Sequence, residues 1–414
     1  MHRLLSIIPV VLLSPLGAQS ADWSQFRGPT QDGHAAEAKL PIEWDKTKNV
    51  TWRKELPGNG WSSPVVANGK IYLTTAVPGA GKGDYSLRAL CLDSQSGNSL
   101  WDVEVFKEEG ATAPRIHPKN SHASPTPIIE GELVYVHFGH MGTACLSTKD
   151  GARIWTQQTL KYNPVHGAGC SPLLVGDRLI FTIDSPDRQV IVALDKKTGK
   201  PVWQTPRNAG PKKAFSFCTP LLITVNGQPQ LISPGSDVVM SLDPKTGTEI
   251  WRVKYSGYSV VPRPVFSNGI VYFSTGYDSP VFYAVKVDGK GDVTDTHVAW
   301  TSKKGAPRNA SPLIVGGEVY LAADDGQVTC LDAKTGDVRW NERVGKAYSS
   351  SPIFAGGFIY LLDEEGTATV IKPGLSYEQV AVIKMGERSL SSYGIDGNAL
   401  LLRTEKALYR IEKK

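Results

Sequence analysis

The chain has 414 residues, with 45 Lys and Arg against 40 Asp and Glu for a formal net charge of +5, and only 21% of its residues are charged. That balance excludes a disordered tail protein, a collagen-like fibre and a strongly basic nucleic-acid binder, and the length suits one large β architecture or two to three ordinary domains. With 41 Gly, 28 Pro, ten Trp and fifteen Tyr, the composition points to many short strands joined by tight turns.

Residues 1–20 read as a signal peptide. Met1-His2-Arg3 is a short basic start, Leu4 to Leu16 is an apolar run broken by Pro9 and Pro15, and Ala18-Gln19-Ser20 offers small residues before a cleavage at Ala21. No Cys follows the run to take a lipid, and no later stretch approaches the 18 apolar residues of a spanning helix. The expectation is an exported chain, periplasmic or secreted, without a transmembrane anchor. It has an N-terminal extension over residues 21–47 and one repeat domain over 48–414.

The repeat begins with Ser/Thr-Pro, then an apolar run, a Gly turn and a second apolar run. Copies start at Ser63-Pro64, Thr126-Pro127, Ser171-Pro172, Thr219-Pro220, Ser311-Pro312 and Ser351-Pro352, with degenerate copies at Arg263-Pro264 and Ser391-Ser392. In five copies a Tyr stands eight residues past the Pro: Tyr72, Tyr135, Tyr272, Tyr320 and Tyr360. This constant spacing predicts a hairpin in fixed register. The second half of each unit reads strand, Asp-x-x-Thr-Gly turn, then a strand carrying Trp. Its clearest copy is Ala193-Leu194-Asp195-Lys196-Lys197-Thr198-Gly199-Lys200-Pro201-Val202-Trp203.

Four short strands per unit make the blade of an all-β propeller, and the recurring period argues against a sandwich. Seven units are complete, and an eighth from Ser391 stops one strand short. The segment Asn49 to Leu56 supplies the missing strand, because Trp52 keeps step with Trp101 and the later Trp positions. Eight four-stranded antiparallel blades are expected, closed by this N-terminal strand, with seven as the alternative. Closure removes the open edge between the first and last blades.

The Ala193–Trp203 motif and its looser copies resemble the tryptophan-docking motif of the pyrroloquinoline-quinone (PQQ) repeat propellers, over roughly residues 45–412. Asp22-Trp23-Ser24-Gln25-Phe26-Arg27-Gly28-Pro29 also resembles the opening of many exported bacterial members. The resemblance implies a quinoprotein-like propeller. It leaves two functions open, since the superfamily holds PQQ-dependent alcohol and sugar dehydrogenases and also a cofactor-free propeller of the outer-membrane β-barrel assembly machinery.

Trp52, Trp101, Trp155, Trp203, Trp251, Trp300 and Trp340 share one slot and are read as structural docking residues, each burying on the order of 200 Å² against a neighbouring blade. The seventh unit lacks this Trp. Cys91, Cys145 and Cys330 replace Ala193 in its slot, while Cys170 and Cys218 precede Ser/Thr-Pro at one height in adjacent blades. The five are read as small buried thiols, with a Cys170–Cys218 disulfide as the alternative. His137, His140 and Cys145 could be drawn as a metal set, but strand alternation separates them, and no metal site is predicted.

Length variation concentrates in the inter-blade links and middle hairpin turns, which lie on one face at the mouth of the funnel. The longest link, Phe106 to Ala123, carries Arg115, His117, Lys119, Asn120 and His122. Trp61, Lys119, Asn120, His122, His166, Arg263, Arg308, Asn309 and Tyr348 are the candidate ligand-binding residues. Arg263 replaces the usual Ser, and an Arg beside a channel is costly unless paired or used. His137, Asp184, Lys212, Lys213, Asp237 and Asp324 are expected on the same face, with Lys212-Lys213 read as a solvated loop.

No nucleophile–base motif is present. In the alcohol dehydrogenase branch, the resemblance implies adjacent cysteines and a channel-floor Trp around the quinone; this chain has no adjacent cysteines. The expected function is therefore a monomeric exported scaffold that binds a protein, peptide or glycan ligand, not nucleic acid. The alternative is an oxidoreductase using PQQ with Ca²⁺.

Overall fold

The computed structural model describes residues 22–110 and 113–413; the predicted signal peptide lies outside them. Eight antiparallel sheets of four repeat strands form a closed ring. The first blade runs Val65–Ala67, Lys70–Pro78, Tyr85–Asp93 and Ser99–Glu108 from the centre outward. In the eighth, Gly394–Asp396, Ala399–Arg403 and Ala407–Ile411 are joined by Val50–Glu55, whose Trp52 pairs with Arg410. The N-terminal strand closes the ring as its periodicity predicts.

The repeat residues have a common physical purpose inside each blade. The first residue of the inner strand pairs with the Tyr of the second: Val65 with Tyr72, Ile128 with Tyr135, Leu313 with Tyr320. That Tyr lies across from Cys91, Cys145 or Cys330, which in turn lies across from Trp101, Trp155 or Trp340. The small thiol lets the two flanking rings meet above it, with centroids 5.8, 6.0 and 5.9 Å apart. Ala284 does the same between Tyr272 and Trp300, at 5.8 Å. All five cysteines are free and buried, Cys170 and Cys218 included.

Between blades, the Trp rings reach the turn of the next blade. The indole N–H of Trp52 donates to Ser94 O, Trp101 to Thr148 O, Trp155 to Lys196 O, Trp203 to Pro244 O, Trp300 to Ala333 O and Trp340 to Gly374 O, at 2.9–3.2 Å. The turn glycine lies flat under the ring: a Cβ built on Gly247 would stand 2.7 Å from Trp203, and one on Gly199 would stand 2.4 Å from Trp155. Trp251 departs from the pattern. It is fully buried and donates to Gln230 Oε1 of its own blade, while the fifth blade inserts Gly291–Asp292 as an extra outer strand beside it.

The seventh blade places Ala381 opposite Val370, where other blades carry Trp. Trp44 of the N-terminal segment helps fill this region. It is buried in the hydrophobic cluster shared by the seventh, eighth and first blades, 6.5 Å from the Tyr360 ring.

A second seam runs round the central channel and explains the Ser/Thr-Pro repeat. The backbone N–H of each such residue donates to the hydroxyl of its counterpart in the next blade. The chain of bonds is Ser63 to Thr126 to Ser171 to Thr219, then Arg263 to Ser311 to Ser351 to Ser392 and back to Ser63, at 2.9–3.2 Å. These groups are buried, and the hydroxyls satisfy N–H groups that have no strand partner on the channel side. The step from Thr219 to Arg263 lacks the hydroxyl; there the Arg263 Nε donates to Pro220 O at 3.0 Å.

Residues 23–36 cross the channel below this seam and supply partners to the innermost strands. Val66 N–H donates to Trp23 O, Ile129 N–H to Ser24 O, Leu222 N–H to Gln31 Oε1 and Phe354 N–H to Gly33 O. His34–Ala35 adds a parallel strand to the inner edge of the seventh blade. The channel therefore ends in a floor on this side.

Candidate functional site

Above the floor lies a cup of about 820 Å³. Six of the nine predicted ligand-binding residues line it: Trp61, Lys119, Asn120, His166, Arg308 and Asn309. Seam hydroxyls, including Ser63, Thr126 and Ser311, lie at its base, with Phe26 of the N-terminal segment among them.

The other three predicted residues lie elsewhere. His122 is turned outward, stacked on Tyr85 at 4.2 Å and bonded through Nδ1 to Glu108 at 2.7 Å. Tyr348 is buried in the core between the sixth and seventh blades. Arg263 is 1% exposed, and its guanidinium is sunk into the floor, donating to Pro220 O, Phe26 O and Gln31 Oε1. An Arg that replaces a seam hydroxyl has to satisfy its donors against the N-terminal segment, and that segment lies below the cup.

The long first link crosses the cup mouth. On one side Asn120 Nδ2 and His117 N–H donate to His166 O, at 2.8 and 3.3 Å. On the other side Lys119 Nζ reaches Glu364 at 2.7 Å and Asp324 at 3.5 Å, while Arg388 donates to Pro118 O. His166 holds a left-handed backbone (φ 62°), and burial, with His117 and Arg115 nearby, lowers its pKa. Asp324 also accepts from the Asn309 side chain and from the Arg308 backbone N–H.

The opposite wall is an aromatic arc. His117 meets His166 at 5.3 Å, His166 meets Phe215 at 5.5 Å, Phe215 meets Tyr258 at 5.5 Å, and Tyr258 meets Tyr277 at 6.2 Å, each edge to face. Lys213 lies over the Tyr258 ring at 4.1 Å and Arg308 over Tyr277 at 5.1 Å, both cation–π contacts. Hydrogen bonds from Tyr258 and Lys213 hold the Asp278 carboxyl below its ordinary range, although slight burial works the other way. Phe215, Tyr258 and Tyr277 were not singled out from sequence. Their signal was aromatics in two successive links and a hairpin turn, and Lys213, on an exposed loop as expected, also lines the cup.

The Ca²⁺ and PQQ of the dehydrogenase branch need convergent oxygen ligands. The carboxylates at the cup are already engaged: Asp324 as above, Glu364 by Lys119 and Ser349, and Asp278 by Lys213 and Tyr258. Among the described residues, no three His, Cys, Asp or Glu side chains are grouped to hold a metal ion. His137 bonds Thr143 and lies against Phe181, while His140 bonds Glu108, so they do not converge with Cys145. As arranged, the cup's carboxylates face cations and hydroxyls and form no convergent set of three among the described residues.

No curated protein matches the sequence. Among solved structures, BamB from Moraxella catarrhalis aligns with a TM-score of 0.58 and 16% identity over 85% of this chain and 94% of that one. The quinohemoprotein alcohol dehydrogenase of Comamonas testosteroni aligns with a TM-score of 0.65 and 11% identity over 96% of this chain and 81% of that one. The computationally designed Ika8 protein aligns at 0.59 with 12% identity, over 86% of this chain and 100% of that one. These likenesses establish the fold. Among the described residues, no helix is long and apolar enough to cross a membrane. The profile of the family described as outer membrane protein assembly factor BamB matches residues 35–164, 91–292 and 287–374. Since those stretches span most of the ring, the chain belongs to that family of PQQ-repeat propellers.

Proposed function

We propose that this chain is an exported ring scaffold that binds a protein, peptide or glycan ligand in the cup on its link face. The observation that carries the reading is the cup itself, a concave site of about 820 Å³ built from non-repeating link residues on a rigid repeat ring. Such a volume falls in the range of sites that enclose a small ligand or a short oligomer. Aromatic rings supply contact area there at low conformational cost, while Asn120, Asn309 and the seam hydroxyls supply hydrogen bonds.

The test is a screen of the full chain on glycan and peptide arrays beside a Phe215→Ala/Tyr258→Ala variant of unchanged Tm. Hits that disappear in the variant support the cup; hits that persist place binding elsewhere. The second reading, a PQQ-dependent oxidoreductase, follows from the fold shared with the quinohemoprotein dehydrogenase. It predicts saturable PQQ binding with Ca²⁺ and dye reduction with alcohols or aldoses, and either result would displace the non-catalytic reading.

A further inference from the structure

The cup floor rests on cations that bond neutral acceptors, although the Asp32 carboxylate lies near enough to Arg27 and Arg263 to favour their charged forms. Arg263 bonds Phe26 O, and its backbone N–H bonds Ser311. Arg27 bonds Pro312 O and Pro352 O. Arg403 bonds the carbonyl and hydroxyl of Ser62. Each of these contacts is on, or one residue removed from, a residue lining the cup. All three side chains are buried, and every hydrogen-bond acceptor recorded for them is neutral.

Burial lowers their pKa values, to about 10 for Arg27 and about 9 for Arg263 and Arg403, which leaves all three charged at neutral pH. In the wall above, Arg308 has cation–π contact with Tyr277 and donates to the Asp278 carbonyl, with the Asp278 carboxylate nearby. Around the cup the three buried guanidiniums, Arg308, Lys119 and Lys213 outnumber the carboxylates of Asp32, Asp278, Asp324 and Glu364. A concave site with low-dielectric walls focuses that positive excess into its opening.

We infer that the occupant is an acidic oligosaccharide, bearing carboxylates or sulfates; the inference rests on the binding function proposed above. The negative charge answers the buried guanidiniums and Arg308. The apolar C–H faces and polar rims of sugar rings answer the arc of Phe215, Tyr258 and the half-exposed Tyr277. An acidic peptide fits less well. One common mode of extended-peptide binding adds a strand to a free sheet edge. Here residues 23–36 already pair with inner-strand N–H groups of the first, second, fourth and seventh blades. Val261 and Leu390 are the aliphatic side chains of the lining, too few to make a groove for an apolar helix face.

The experiment is isothermal titration of the full chain with tetragalacturonate, its neutral methyl ester, a sulfated chondroitin tetrasaccharide and tetraglutamate. The expected result is saturable binding of at least one acidic sugar, the ester being about tenfold weaker or more than the free tetragalacturonate where that acid binds. Raised salt should weaken the interaction. Arg308→Gln should weaken it about tenfold at unchanged Tm. Lys196→Gln, which removes an ion pair to Glu130 in the Asp195 turn, should leave it unchanged.

Equal binding of acid and ester overturns the inference, as does tighter binding of tetraglutamate. Failure of every acidic sugar also overturns it, while cup-dependent array hits of another chemistry would leave the proposed function standing.

Discussion

The contact between Trp203 and Gly247 gives a quantitative test of how the blades are joined. The Trp203 ring covers Gly247, which holds φ +75°, and its N–H donates to Pro244 O at 3.2 Å. Truncation of a buried Trp to Ala costs about 3–5 kcal/mol, and Trp203 is only half-buried, so Trp203→Ala should cost about 2–4 kcal/mol. Trp203→Phe keeps most of the ring contact and loses one hydrogen bond, about 1 kcal/mol.

Gly247→Ala alone places a methyl 2.7 Å from the ring and adds left-handed strain of about 1–2 kcal/mol. In the Trp203→Ala background the collision with the ring is gone, so the double variant should be more stable than the sum of the singles by at least about 1 kcal/mol. Urea unfolding with a constant m value measures all four proteins, and a loss of 3 kcal/mol should lower Tm by roughly 2–4 °C for a chain this size. Strict additivity in the cycle, or Trp203→Phe as damaging as Trp203→Ala, would refute the account of the ring as the inter-blade clamp.

Further outcomes follow from other contacts. Ser311→Ala leaves the Arg263 N–H without its acceptor and should cost about 1–3 kcal/mol, whereas Ser311→Thr, which keeps the hydroxyl as Thr126 and Thr219 do, should cost much less; equal losses would argue against the seam. Arg263→Ala should lower stability by removing one hydrogen bond within the ring and two that tie the N-terminal segment to it, and a variant with unaltered urea midpoint would show that this tie is unimportant. Burial opposes ionisation of Glu108, but bonds to His122 and His140 hold its carboxyl down at about 2. Its contribution, on the order of 3 kcal/mol, should be complete above about pH 4.5 and fade as pH falls toward 2. Glu108→Gln should flatten the pH dependence of unfolding across that window; an unchanged slope there would count against the His122–Glu108–His140 cluster. Removing one partner of the buried Asp184–Arg207 pair, as in Asp184→Asn, should cost about 3–5 kcal/mol by thermal unfolding, and a loss below 1 kcal/mol would show that the pair is replaceable.

The division of labour between sequence and tertiary structure follows from which features repeat. The blade is legible because a local pattern recurs: Tyr eight residues past Pro, a small residue before Asp, and Trp after Thr-Gly. Each is forced by contacts inside one blade or with the next. Even closure by Val50–Glu55 was legible, since Trp52 keeps step with the other Trp positions and the last unit lacks one strand. The link residues Trp61, Lys119, Asn120, His166, Arg308 and Asn309 could be assigned to one mouth because links vary while blades do not.

Side-chain direction inside that mouth was beyond reach of any period. Arg263 occupies a channel-side slot, yet its guanidinium faces the floor because Phe26 and Gln31 lie beneath it, and residues 23–36 have no repeat to reveal their path. His122 turns outward to Glu108 and Tyr85 for a similar reason: its partners come from strands whose ends only the folded ring brings beside the link. The arc of Phe215, Tyr258 and Tyr277 also exists only in three dimensions, assembled from two links and one hairpin turn some 20 to 45 residues apart. Short-range contacts write themselves into sequence as periodicity, but a site at the centre of a ring is built from single residues of many blades, and only closure of the ring puts them together.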